Sequence, residues 1–250
     1  MATTPVPAPT PAPEAKISPI GRITGVFFSP KATFEDIARK PSWLLPVILT
    51  TLFSIAAVIA LNQRMNWHEY VSQQIEKNPR AAQLSADQKE KQADISAKIT
   101  VYIVYAAGVF APILAAVILG AVMMGVYNLL AGAGASFLQS TAIAAHAGLV
   151  GLVSTPIFLL VLFLRPAGSI DPENPVVTNV AAFLPEDSAK WLFALCKSLD
   201  IFTIWTLILL AIGFAAVNPR KLKGSKPYVI AFSAWGVFAV VKVLWAFIFS

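Results

Sequence analysis

The sequence predicts an all-α membrane protein with five transmembrane helices, N-terminal amphipathic helices at the interface and a helical outer loop. Three observations carry this. Apolar residues fill 57% of the 250 positions and charged residues 13%, with a mean hydropathy of +0.69, outside the usual composition of a water-soluble domain. Five apolar runs approach the roughly 20 residues that a helix needs to cross about 30 Å of hydrocarbon: Trp43 to Leu61, Val101 to Leu130, Phe137 to Leu164, Ile201 to Val217 and Tyr228 to Phe249. Within them only Lys242 is formally charged, and only His146 could titrate near neutrality.

Residues 1–16 form a Pro/Ala-rich tail, with five prolines between Pro5 and Pro13, a composition expected to stay extended and disordered. It lacks the basic start and apolar centre of a secretory signal. Residues 17–250 are expected to form one membrane domain. Before the first span, Ile17, Ile20, Ile23 and Phe27 recur at helical spacing, with Arg22 and Thr24 off that face. Such a helix is expected to lie on the membrane. Ser29-Pro30 suits the start of a second short helix, with Ser as N-cap and Pro at the first position. Phe34, Ile37 and Ala38 would be its apolar side, and Pro41 would end it.

The outer loop after the first span divides at Asn78-Pro79 into two helical pieces. Ser85-Ala86-Asp87-Gln88 fits a capping box. No breaker follows before Gly108, so the helix is expected to run on into the second span, with a kink at Pro112. Between the second and third spans lies GAGASFLQST, residues 132–141. A phosphate-cradling loop needs a strand-to-helix turn, and in a P-loop a lysine as well; here no strand precedes the glycines, and no Lys or Arg lies between Lys98 and Arg165. Ser136-Phe137-Leu138-Gln139 is instead a second capping box, and Gly132 and Gly134 would end the preceding helix. Small residues four apart (Ala116 and Gly120, Ala121 and Gly125, Ala144 and Gly148, Ala147 and Gly151) predict that the two spans pack as a close antiparallel hairpin.

Orientation rests on Lys and Arg outside the spans. Five precede the first span, and Arg220, Lys221, Lys223 and Lys226 crowd the short loop before the last. The two loops on the opposite side carry nine basic residues as well, but ten acidic ones accompany them. Density in short segments places the N-terminus in the cytoplasm and the C-terminus outside. Arg22, Lys31, Arg39, Lys40, Arg220, Lys221, Lys223 and Lys226 would then meet anionic headgroups, each contributing roughly 1 kcal/mol near such a surface.

Four polar residues remain inside or at the ends of spans. Lys242 would snorkel to the outer interface or pair with Asp200, which begins the fourth span on the same side. His146 would hydrogen-bond between helices. Asn128 would cap the second span. A lone histidine cannot build a metal site, the only other being His68 in the outer loop, and Cys196, the single cysteine, allows no intrachain disulfide. No HExxH, no GxSxG and no paired aspartates occur within spans. The expectation is a non-enzymatic protein without cofactor, metal or nucleic-acid partner. It would work on the lipid bilayer, on other membrane proteins or on further copies of itself. The alternative is a small-solute or ion transporter using Lys242, Asp200, His146 and Asn128.

Three stretches, FFSPKATFEDIARKPSWLLPVIL, GAGASFLQSTAIAAHAGLVGLVSTPIFLL and LDIFTIWTLILLAIGFAAV, together resemble the Yip family of integral membrane proteins in its bacterial form. They are its Ser-Pro and Pro-Ser-Trp lead into the first span, its Gly-rich turn with Gln and an in-span Pro, and its Asp-aromatic-x-x-Trp. The resemblance implies a cytosolic N-terminus, five spans, a bacterial inner membrane and roles in membrane trafficking or shaping. The Asp-Leu-Tyr-Gly-Pro motif of eukaryotic members is missing, so small-GTPase binding is not carried over.

Overall fold

The computed structural model describes residues 16–168, 178–185 and 188–248. The tail expected over residues 1–16 lies outside these apart from Lys16, as do Phe249 and Ser250. Among the described residues there is no strand, only an antiparallel bridge between Asn179 and Asp200.

Two ten-residue helices open the chain, α1 (Pro19–Phe28) and α2 (Pro30–Arg39). Ser18 caps α1 by accepting from the Gly21 N–H. Ser29 does not cap α2 with its side chain; its carbonyl instead accepts from the Thr33 N–H and hydroxyl. Neither helix merely rests against the bundle. Val26, Phe34 and Ile37 are fully buried in the main core beside Ile143, Leu210 and Phe214. The buried face of α1 is therefore Arg22 and Val26, one turn apart, while Ile20 and Phe28, apolar residues that could have faced the core, are exposed.

α3 (Leu44–Arg64) runs to a corner at Met65, and α4 (Trp67–Lys77) folds back with Asn66 as its N-cap. A 3-10 turn, Pro79–Gln83, follows the break at Asn78. α5 (Ala86–Ala131) is then a single helix of 46 residues, opened by the Ser85/Gln88 capping box and continuing through Pro112. At 1.5 Å per residue it is about 69 Å long, twice a hydrocarbon core. Its first turns pack against α4 in a separate small core of Trp67, Val71, Ile75, Ala93 and Ala97.

The turn after α5 is neutral and tight. Gly132 and Gly134 take left-handed backbone angles (φ 57° and 72°) that other residues adopt only at a cost. Ser136 and Gln139 complete the second capping box. The third span is not one continuous helix. α6 (Phe137–Ala147) and α7 (Gly151–Leu164) are joined by a 3-10 turn at Gly148–Val150, where flanking glycines at 148 and 151 weaken α-helical preference. α8 (Lys190–Ser198) is short and lies against α10 (Lys226–Ile248), and α9 (Ile201–Val217) completes the bundle.

Hydrogen bonds fix which helix ends share a side. Gln139 Nε2 donates to the Ala38 carbonyl, Asn218 Nδ2 to Ala133 O, Lys221 Nζ to Gly132 O, and the Tyr127 hydroxyl to Pro227 O. The end of α2, the 132–136 turn and the 218–226 loop thus form one end of the bundle. Arg64 bonds the Arg165 carbonyl, and Gly168 N–H the Arg64 carbonyl, placing the ends of α3 and α7 together at the other. α3, α5, α6 with α7, and α10 are long and apolar enough to cross a membrane; α9, at 17 residues, is shorter.

Candidate functional site

Where α1 and α2 meet, a guanidinium and a carboxylate are buried together. Arg22 is 3% exposed and Asp36 not at all. Arg22 Nε donates to Asp36 Oδ2 at 2.9 Å and Nη2 lies 2.8 Å from the same oxygen. Nη1 reaches the Lys40 carbonyl at 3.0 Å and Ser42 Oγ at 2.8 Å. The Lys16 N–H donates to Asp36 Oδ1 at 2.8 Å. Burial by itself would raise the Asp36 pKa, but the Lys16 N–H and the Arg22 guanidinium outweigh it and hold the carboxyl below its usual range. A buried charge survives when it is paired and its other hydrogen-bonding capacity is filled, as here. Arg22 was expected to face headgroups; with its guanidinium enclosed it is a clasp that ties α1, α2 and the approach to α3 together.

The other expected headgroup contacts, Lys31, Arg39, Lys40, Arg220, Lys221, Lys223 and Lys226, are exposed. Two are partly committed: Arg39 lies 4.0 Å from Asp36, and Lys221 holds the Gly132 carbonyl at 2.7 Å. Because the end of α2 and the 218–226 loop lie at the same end of the bundle, Arg39, Lys40, Arg220, Lys223 and Lys226 crowd one rim.

Between α5, α7, α9 and α10 lies a cavity of about 610 Å³, with Leu119, Met123, Thr206, Leu210 and Trp235 among its lining residues. Three hydroxyls line it, and two of them turn back on their own helices: Thr206 donates to the Phe202 carbonyl at 2.8 Å and Ser154 to that of Gly151 at 3.5 Å, while Thr203 is the third. The walls are therefore apolar. Ile118, Val122 and Phe238, also in its lining, are each more than half exposed on helices long enough to span, so the mouth opens sideways, toward hydrocarbon. The volume falls in the range of small-molecule sites.

The family model of the Yip1 domain matches residues 24–247. The chain belongs to the Yip1 domain family. The match takes in the second half of α1 and the later helices, and together with the four long apolar helices it makes the chain a multi-pass integral membrane protein. No curated protein and no solved structure matches the chain.

In this Yip1-domain protein the four polar residues of the spans are held apart. His146, 1% exposed, bonds the Ala142 carbonyl of its own helix at 2.8 Å, not a neighbouring helix as expected; since a carbonyl only accepts, Nδ1 carries the proton. Asn128 straps the turn, donating to Ala135 O at 3.0 Å and accepting from Ala135 N at 2.8 Å. Asp200 caps α9 through Oδ1, at 2.9 and 3.0 Å from the Phe202 and Thr203 N–H groups, and its Oδ2 accepts from Thr178. It forms no ion pair with Lys242, which is half-buried on α10, the helix that α8 packs against. The four do not assemble into one polar site.

Two groupings escaped the sequence reading. Asp36 followed the expected apolar side of α2 so closely that its role as counter-ion had no one-dimensional sign. Beyond the membrane, His68 Nε2 of α4 lies 3.4 Å from Glu90 Oε1 and 3.3 Å from Asp94 Oδ1 of α5. The spacing of Glu90 and Asp94, one helical turn, was visible in the sequence; the arrival of His68 depends on α4 folding back.

Proposed function

We propose that this Yip1-domain protein is a non-enzymatic organiser of membrane lipid, holding an acyl chain in the cavity between α5, α7, α9 and α10 while its basic rim meets anionic headgroups. The single observation that carries this is the apolar cavity whose mouth is built from exposed residues of spanning helices. An occupant entering from that side comes from hydrocarbon, and a polar solute would find few partners on walls whose polar groups are limited to three hydroxyls and the Trp235 indole. The matching of α2, the 132–136 turn and the 218–226 loop to one end, with α9 ending there and α10 starting there, supports five crossings, the short α9 included. On that arrangement the basic rim is cytoplasmic, the C-terminus lies outside, and a bacterial inner membrane is the setting that the resemblance suggests. No observation favours the transporter alternative.

The experiment is photocrosslinking in nanodiscs with a phospholipid that carries a diazirine in its acyl chain. Labelling is expected on the Thr203–Leu210 and Ala234–Phe238 segments. Gly151→Leu should abolish it, because Gly151 lines this space and a Cβ added there meets nothing within 4 Å, so the larger side chain has the cavity to fill. Equal labelling of those segments in the variant contradicts the proposal. Changing Arg220, Lys223 and Lys226 to Gln should separately lower the preference for anionic over zwitterionic lipid, by roughly 1 kcal/mol per residue, measured from lipid adducts in native mass spectrometry.

A further inference from the structure

We propose that His68, Glu90 and Asp94 form a divalent-cation site of the Zn²⁺ class that pins α4 to the projecting part of α5. The three offered ligand atoms lie within 4.8 Å of one another. Zn²⁺ bound at about 2.0–2.1 Å by imidazole and carboxylate in tetrahedral geometry sets its ligand atoms about 3.3–3.4 Å apart. The two separations from His68 Nε2, 3.3 and 3.4 Å, fall on that edge length.

The missing hydrogen bond at the nitrogen argues the same way. His68 Nε2 is buried and makes no hydrogen bond, although two carboxylate oxygens stand within reach. A protonated imidazole held only by ion pairing would aim its N–H along the line to one oxygen. Here the nitrogen lies at nearly equal distance from both and hydrogen-bonds to neither, as donors are around a shared centre.

The scaffold for such a site is in place. Glu90 and Asp94 lie one turn apart on a continuous helix, and His68 is in the first turn of α4, which the Trp67, Val71 and Ile75 core holds against α5. Both carboxylates are more than half exposed, which leaves room for a water as fourth ligand. One nitrogen and two carboxylate oxygens suit Zn²⁺ or a neighbouring first-row divalent ion better than Cu⁺, which prefers sulfur. Neutral imidazole is the form that ligates, so uptake should weaken on acidification.

The test is calorimetric titration of chelator-treated full-length protein in nanodiscs with Zn²⁺ alone, followed by Co²⁺ as a spectroscopic probe. One equivalent should bind, Co²⁺ should show the visible bands of a tetrahedral site, and amide exchange in α4 should slow on loading. His68→Ala should weaken binding by more than the 10- to 100-fold typical of losing an outer partner of a ligand, and Glu90→Gln and Asp94→Asn should each do so too. Because the Trp67 core remains, helix content of the variants should match the parent and separate lost ligation from lost folding. The only other histidine, His146, is buried in the bundle, so background at histidine is low. Zn²⁺ uptake unchanged by His68→Ala, or no uptake by the parent, overturns the proposal.

Discussion

Asp36→Ala is expected to release α1 and α2 from the bundle at a cost of about 3–5 kcal/mol, the usual penalty for leaving a buried partner charge uncompensated. The loss falls on Arg22, whose guanidinium would keep only Ser42 and backbone carbonyls in an enclosed site. Hydrogen exchange of residues 16–40 should rise sharply while the α4–α5 core stays protected. The double variant Arg22→Met, Asp36→Leu should recover much of the loss, since apolar residues of similar volume can replace a buried pair at little cost. The clasp also has a pH signature. Its folded carboxyl pKa lies below the unfolded value of about 3.9, so the stabilisation is fully present above that value and disappears as the pH falls through the folded one. Exchange in residues 16–40 that is as slow in Asp36→Ala as in the parent would refute the role given to the pair.

Gly120→Ala should disrupt the α5–α6 hairpin. A methyl group there would stand 2.8 Å from Thr141 Cα and 2.9 Å from Thr141 N. These are backbone atoms of the facing helix and cannot turn aside as a flexible side chain would. The helices must separate, at a cost of about 1–3 kcal/mol or more, and thermal unfolding in a fixed detergent should register it. Gly125→Ala is the matched control. A Cβ at Gly125 meets nothing within 4 Å, and in a helix alanine is favoured over glycine by about 1 kcal/mol, so that variant should be neutral or more stable. Equal losses in both variants would show that close approach at Gly120 is not what holds the hairpin.

These two cases mark what can be read in one dimension. Both capping boxes were legible because Ser85 with Gln88, and Ser136 with Gln139, act within a single turn. The length of α5 was legible because nothing between Gln88 and Gly108 interrupts a helix. The four small-residue pairs were also visible, but of their glycines only Gly120 meets the backbone of a facing helix, and spacing alone does not say which side of a helix its neighbour occupies. The enclosed pair of α1 was hidden for a related reason. Ile23 and Phe27 of the expected apolar stripe do pack against the core, but that Arg22 and Val26 are the fully enclosed residues depends on Asp36, fourteen residues on. His146 found its partner one turn back rather than across the bundle because the Ala142 carbonyl was already in reach. The lipid-open cavity left no trace in the sequence, since its walls come from four helices and its residues look like any other span.

The claim on which the lipid-organising account rests is that α9 crosses the membrane despite its 17 residues, about 25 Å at helical rise. In a Cys196→Ser background, single cysteines at Lys190, before α9, and at Ser225, after it, can be probed with an impermeant maleimide in sealed vesicles. Five crossings predict that one is labelled before permeabilisation and the other only after it. Labelling of both from the same side would contradict the account.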